Sequence, residues 1–190
     1  MFQGASRVAR CLLVAVSLLV AVTTTATLAG CAQTVSGTAQ RADAGIPDPG
    51  RSYGYVDDRC GLLDNSSVQA TLDADEVTRP YSGAVCQYIL SRRSGGDVAT
   101  IDATFSWFDT GSLQRERELA VARGSVVTDA VVERHKTFFA RRDTTGAACS
   151  ATASAGSGVL SWWVQYRGQT TGDPCRDAEK LLSATLRSDM

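Results

Sequence analysis

Six cysteines hold most of the reactive chemistry in this 190-residue chain, and their neighbours divide them into two kinds. Cys31 directly follows Leu28-Ala29-Gly30 and ends a leader with Arg7 and Arg10 first, a continuous apolar run from Cys11 to Val22 next, and the polar stretch Thr23–Thr27 last. That order is the layout of an export signal. A cysteine just after the small residues makes it a lipobox, in which the thiol takes up a diacylglyceryl group before the leader is cut. The apolar run is too short for a spanning helix, which needs roughly 20 residues, so residues 1–30 are read as a removable signal peptide. The mature chain is expected to begin at a lipid-bearing Cys31 on the extracytoplasmic face of the cell membrane. Two acyl chains, of palmitate type, would hold it there, since each buried methylene contributes roughly 0.8 kcal/mol and a single chain is marginal.

Cys11 leaves with the leader. Cys60, Cys86, Cys149 and Cys175 remain, an even number in an oxidising compartment, and are expected to form two disulfides. Four cysteines allow three pairings. Cys60–Cys86 and Cys149–Cys175 are favoured because each joins a helix start to a nearby strand and closes a short loop. Each bridge would contribute on the order of 3 kcal/mol. Zinc is not expected: the chain has one histidine and no CxxC pair.

Other reactive groups are sparse. A serine hydrolase or a metal site would have to use His135, the single histidine. No G-x-S-x-G elbow accompanies it, Gly156-Ser157-Gly158 having the wrong spacing, and His135 is expected in a solvent-exposed turn. Asp57-Asp58 and Asp73/Asp75/Glu76 lack EF-hand spacing and read as helix caps and turn acids. Glycosidase carboxylates are matched in space, so sequence spacing assigns none. Gly95-Gly96 is a turn, since no P-loop Lys-Ser/Thr follows. The formal net charge is −1 and becomes more negative once Arg7 and Arg10 leave, which does not suit nucleic acid. The chain is therefore expected not to be an enzyme, with no catalytic residue, metal or cofactor.

The elements that must hold these groups follow from periodicity. Residues 31–52 contain Gly37, Gly45, Pro47, Pro49 and Gly50 and almost no large apolar side chain, and are expected to form a flexible tether. A single domain is then expected over 53–190. Asp64 would cap a short helix with Leu63, Val68 and Leu72 on one side. Val85–Leu90 is β-prone, residues 92–97 are turn-like, and Val98–Phe108 shows strict alternation of Ile101, Ala103, Phe105 and Trp107 with polar residues. Ser112 would cap a helix from Leu113 to about Arg123, closed by Gly124. Val126–Val132 and Thr137–Arg141 read as strands around the turn 134–136. Ala147–Ala153 and Val159–Tyr166 read as a hairpin, with Leu160, Trp162, Val164 and Tyr166 on one face and Trp163 on the other. Asp173 and Pro174 would open a last helix that buries Ala178, Leu181, Leu182 and Thr185. The expected fold class is α+β: an antiparallel sheet of about five to seven strands packed on two or three helices, with two disulfides. Trp107, Phe108, Arg115, Arg117 and Trp163 form the candidate binding patch, aromatics at a strand end beside an Arg/Glu helix.

An ordered set of local patterns carries a family resemblance: the lipobox at Cys31, Cys60-Gly61, Cys86-Gln87-Tyr88, Phe105-Ser106-Trp107-Phe108 with Arg115-Glu116-Arg117, and Pro174-Cys175-Arg176-Asp177-Ala178. Together these resemble the LprB-like, mycobacterial-type lipoproteins in the actinobacterial family classed as domain of unknown function 3558. The family commonly has tryptophan after the cysteine where this chain has Gln87. The resemblance implies a cell-envelope lipoprotein and brings no catalytic residues. The expected function is thus a lipid-anchored, non-enzymatic binding or accessory domain. Its partners would be the membrane, through the diacylglyceryl anchor, and an envelope protein, lipid or glycolipid. An envelope hydrolase, or a sensor partner of a membrane kinase or transporter, is the alternative.

Overall fold

The alternation through Asp97–Phe108 becomes the 12-residue strand β5, at the heart of a seven-stranded antiparallel sheet. The computed structural model describes residues 45–94, 96–142, 147–168 and 172–188. Cys31, the signal peptide 1–30 and the tether as far as residue 44 lie outside the described residues. In chain order the elements are β1 (Tyr55–Val56), β2 (Arg59–Cys60), α1 (Asn65–Thr71), β3 (Glu76–Tyr81), β4 (Val85–Ser94), β5, α2 (Leu113–Ala122), β6 (Val126–Val132), β7 (His135–Arg141), β8 (Ala148–Ala155), β9 (Gly158–Arg167) and α3 (Pro174–Arg187). The sheet order is β3-β4-β5-β9-β8-β7-β6, and β1 and β2 form a separate small ribbon. The α+β class, the strand number and both disulfides agree with expectation. Cys60 bonds Cys86, and Cys149 bonds Cys175.

Register assigns the two faces. Phe105 lies opposite Trp162, Ala103 opposite Val164 and Ile101 opposite Tyr166, so their side chains share one face. Cys86, Tyr88 and Leu90 of β4 and Ala151 and Ala153 of β8 extend it. Helices α3 and α1 cover this inner face. Leu181, Leu182, Ala178 and Thr185 of α3 and Val68 and Leu72 beside α1 are buried against it. Trp162 is completely enclosed, with Phe105 at 5.2 Å and Tyr88 at 5.8 Å between ring centroids. Its indole N–H donates to Thr185 Oγ1 at 2.8 Å, which satisfies the one polar atom that burial would orphan. The ends of α3 follow the sequence signals: Asp173 accepts from the Cys175 N–H, and Pro174 occupies the first turn.

Helix α2 packs on the opposite, outer face over β6, β7 and β8, where Phe138, Ala140 and Ala148 are buried. It ends as expected, with Gly124 at φ 79 and its N–H bonded to the Val121 carbonyl. Ser112 stands at its N-cap without a side-chain capping bond.

Four local expectations are corrected. Leu63 precedes α1, pairing with Cys60 in an isolated bridge, and is buried from there. Strand β3 was not expected; it is an edge strand, where Pro80 is tolerated because no ladder partner needs its N–H. The turn between β6 and β7 is Glu133-Arg134, at φ 46 and 67, which moves His135 out of the turn and into β7. The segment joining tether and domain is also anchored earlier than its composition implies. Tyr53 is fully buried, its hydroxyl donates to Asp48 at 3.3 Å, and its ring lies 5.6 Å from that of Trp107. Residue 51 runs so close to the β8–β9 turn that a Cβ on Gly156, at positive φ, would collide with the Arg51 carbonyl oxygen. Only glycine admits that approach.

Candidate functional site

The expected patch divides across the sheet. Trp107 points inward beneath the strap of residues 48–53, whereas Phe108 and Trp163 lie on the outer face. Arg115 is exposed on α2. Arg117 donates from Nε to Asp129 Oδ1 at 2.8 Å, pinning α2 to β6, and this guanidinium holds the Asp129 carboxyl below its usual range. The structure therefore brings Phe108, Trp163, Arg115 and Arg117 to one side of the sheet and leaves Trp107 on the other. Period-two parity in Phe105-Ser106-Trp107-Phe108 already separates Trp107 from Phe108.

Beyond α2 the outer face over β4, β5 and β9 carries a distinct side-chain lattice. Gln87, Thr104, Trp163 and Ser150 stand in register across four strands. The row beside it runs Ile89, Asp102, Gln165 and Ala148. Arg167 grips Asp102 with Nε at 2.5 Å and Nη2 at 2.6 Å, a bidentate pair that closes one side. Thr152 and Ser161 share a hydroxyl bond of 2.8 Å on the other. The surface is thus a half-buried indole among amide and hydroxyl groups, with its strongest charges already paired. Such a lattice can stack on an apolar or ring-shaped group and hydrogen-bond around it.

His135 is buried and not solvent-exposed, contrary to expectation. Its Nδ1 lies 2.9 Å from the Ser154 carbonyl oxygen and its Nε2 3.8 Å from Asp48 Oδ2. Both ring nitrogens thus face partners that tie the strap to the sheet. Among the described residues no three His, Cys, Asp or Glu side chains stand together as a metal site would require. Asp57 and Asp58 pair with Arg59 and Arg79, and Asp64 caps α1 through the Ser67 N–H at 2.7 Å.

A second polar cluster lies at the inner face. Asp177 accepts from the Tyr166 hydroxyl at 2.5 Å, from Arg92 Nη1 at 3.3 Å and from Lys180 Nζ at 2.9 Å. Arg92 also donates to the Leu72 carbonyl at 3.1 Å. These contacts bind β4, β9, α1 and α3 into one unit. Burial, and then the Asp177 carboxylate, push the Tyr166 hydroxyl up to about 12; burial is also the main cause that brings Tyr53 to about 12. Because an unfolded tyrosine ionises near 10, both groups stabilise the fold below that pH. Their contribution falls as pH rises from 10 towards 12, where the unfolded chain sheds the protons first. Urea midpoints should therefore drop between pH 10 and 12, with a shallower drop in Tyr53→Phe and Tyr166→Phe; an unchanged slope in both would refute the assignment.

A solvent-open groove of about 630 Å³ runs between α3 and the β6–β7 hairpin, bordered by Glu133, Arg176, Glu179, Lys180 and Arg187. Glu133 accepts from Ser183 at 2.7 Å and lies 3.4 Å from Arg187. It is a charged trough outside the core rather than an apolar cavity within it. None of this geometry was assigned from sequence. The Asp102–Arg167 pair and the Tyr166–Asp177 contact join residues far apart in the chain, and period-two parity marks only which face each occupies.

No curated protein and no solved structure matches the chain. A family model described as a protein of unknown function (DUF3558) matches residues 26–188, a span that covers every described element from β1 to α3. The chain therefore belongs to the DUF3558 family.

Proposed function

We propose that this protein is an LprB-like actinobacterial lipoprotein, anchored to the outer leaflet of the cell membrane through acylated Cys31. In this reading it serves as a non-enzymatic binding domain for an envelope protein, lipid or glycolipid. The observation that carries the reading is the contrast between the two faces of the sheet. The inner face is filled by fully buried Trp162, Tyr88, Tyr166, Phe105, Leu90 and Ile101, which favours a rigid platform over an amphiphile carrier. The outer face keeps a half-buried Trp163 between Thr104 and Ser150. A hydrolase that relied on His135 is disfavoured, because the imidazole is enclosed between Ser154 and Asp48.

The test is photo-crosslinking in native envelopes with the probe at Thr104. Trp163→Ala should lose the crosslinked species at least tenfold while unfolding within about 1.5 kcal/mol of the parent, since its side chain stands on the partly exposed outer face. Retention of the same crosslink in Trp163→Ala would overturn the platform. Mass spectrometry of the membrane fraction tests the anchor independently, and recovery of Cys31 without acyl chains would overturn that part.

A further inference from the structure

The large apolar side chains left in solvent are not scattered evenly. Tyr81 (60% exposed), Val85 and Phe108 (47%) cap the ends of β3, β4 and β5 at one end of the sheet, and Tyr55 (40%) and Val56 stand on the ribbon beside them. These residues are contiguous. Val85 pairs with Ser106 two residues before Phe108, and the Trp107 N–H donates to the Ala84 carbonyl at 3.2 Å. Tyr55 adjoins Ser82, next to Tyr81. Among the described residues, the opposite end of the sheet exposes separate valines, Val98 and Val126, with Val121 on α2.

The chain reaches the domain at the aromatic end. Asp48 meets His135 at the start of β7, and residue 51 crosses the β8–β9 turn. A flexible chain as long as the Cys31–Asp48 segment has an end-to-end distance on the order of 20–25 Å. The 12-residue β5 alone extends about 40 Å. A lipid at Cys31 would therefore let the end with Tyr55, Tyr81 and Phe108 reach the bilayer more readily than the valine end.

We propose that this aromatic end is a membrane-contact surface, resting on the lipid headgroups as the anchored domain's second attachment. The inference rests on the lipid anchor proposed above. Tyr and Phe suit the headgroup layer because an apolar ring enters it while a hydroxyl stays wet. A tether that confines the domain gives an effective concentration in the millimolar range, so even a small patch is occupied. At this end Asp57 and Asp58 are paired with Arg59 and Arg79 and Asp109 is exposed, so the surface carries no excess positive charge to draw anionic lipid.

The experiment couples the Cys31 thiol of the mature chain, with its disulfides intact, to a maleimide phospholipid in phosphatidylcholine vesicles. This fixes the tether whatever the natural acylation. Amide hydrogen exchange is compared with that of the same chain carrying a capped Cys31 in solution. Segments 81–85 and 107–111 should exchange at least fivefold more slowly on the vesicle, with no change at 96–99. Tyr81→Ser/Phe108→Ser, tethered in the same way, should lose that slowing. Equal exchange in the tethered and free chains, or slowing confined to the 96–99 end, would overturn the contact surface. Stronger slowing on vesicles rich in phosphatidylglycerol would overturn the apolar nature of the contact. Natural acylation of Cys31 is read separately by mass spectrometry, so failure of the anchor is not confused with failure of the surface.

Discussion

Trp162→Ala should lower the unfolding free energy by about 3–5 kcal/mol, the range for deleting a large aromatic from a packed core. The indole lies against the inner-face rings of Phe105 and Tyr88 at 5.2 and 5.8 Å and is completely enclosed. Its removal opens a void between β4, β5 and α3 that these neighbours cannot fill without leaving their rotamers. It also strands the Thr185 hydroxyl, which loses the 2.8 Å donor. For a domain of this size each kcal/mol moves the thermal midpoint by roughly 2–4 °C, so calorimetry should record a fall on the order of 10 °C. Trp162→Phe should recover part of the volume but not the hydrogen bond. A loss below about 1 kcal/mol for Trp162→Ala would show that the inner face is not packed as described.

Asp177→Ala is expected to cost about 2–4 kcal/mol. Removing one member of a buried ion pair leaves the other charge uncompensated. Here Arg92 would keep the Leu72 carbonyl and the Tyr166 hydroxyl as neutral acceptors but lose its carboxylate, and the Tyr166 hydroxyl would lose its own acceptor. The figure sits below the full range for buried pairs because the Arg92 side chain is 23% exposed and water screens part of the loss. Arg92→Met combined with Asp177→Leu should be less destabilised than the sum of its single variants, since the stranded charge is gone. A urea-denaturation double-mutant cycle reads this directly. Strict additivity would mean that the two groups are independent and that the network does not bind α3 to β4.

The inner face was legible in the sequence because period-two alternation in β5 and β9 is strong and both strands lie at the centre of the sheet. Ile101, Ala103, Phe105, Leu160, Trp162, Val164 and Tyr166 are where their parity puts them. The start of α3 was legible for a different reason: Asp173-Pro174 combines a cap with a residue preorganised for the first turn. The failures come from weaker chemistry. Glu133-Arg134 makes a turn with two positive φ angles but has neither Asn nor Gly, the residues that usually signal one. Turn chemistry therefore places this turn a residue late and His135 in solvent, where the structure has it buried in β7. Strand β3, with Glu76, Arg79 and Pro80, lacks a clear apolar face because an edge strand needs only one neighbour. The candidate patch is divided at Trp107, which period-two parity turns to the inner face and the strap with Tyr53 then covers.

The Cys60–Cys86 bond has a mechanical consequence. Under the proposed lipid anchor, the domain would be loaded through its N-terminus whenever an attached partner moved relative to the membrane. Tension entering at Asp48 can peel the Tyr53 strap and the short ribbon, but at Cys60 it meets a covalent link to β4, which lies between β3 and β5. From there the pull is shared along two ladders of backbone hydrogen bonds at once, and the peeled segment can be laid back without disturbing the sheet.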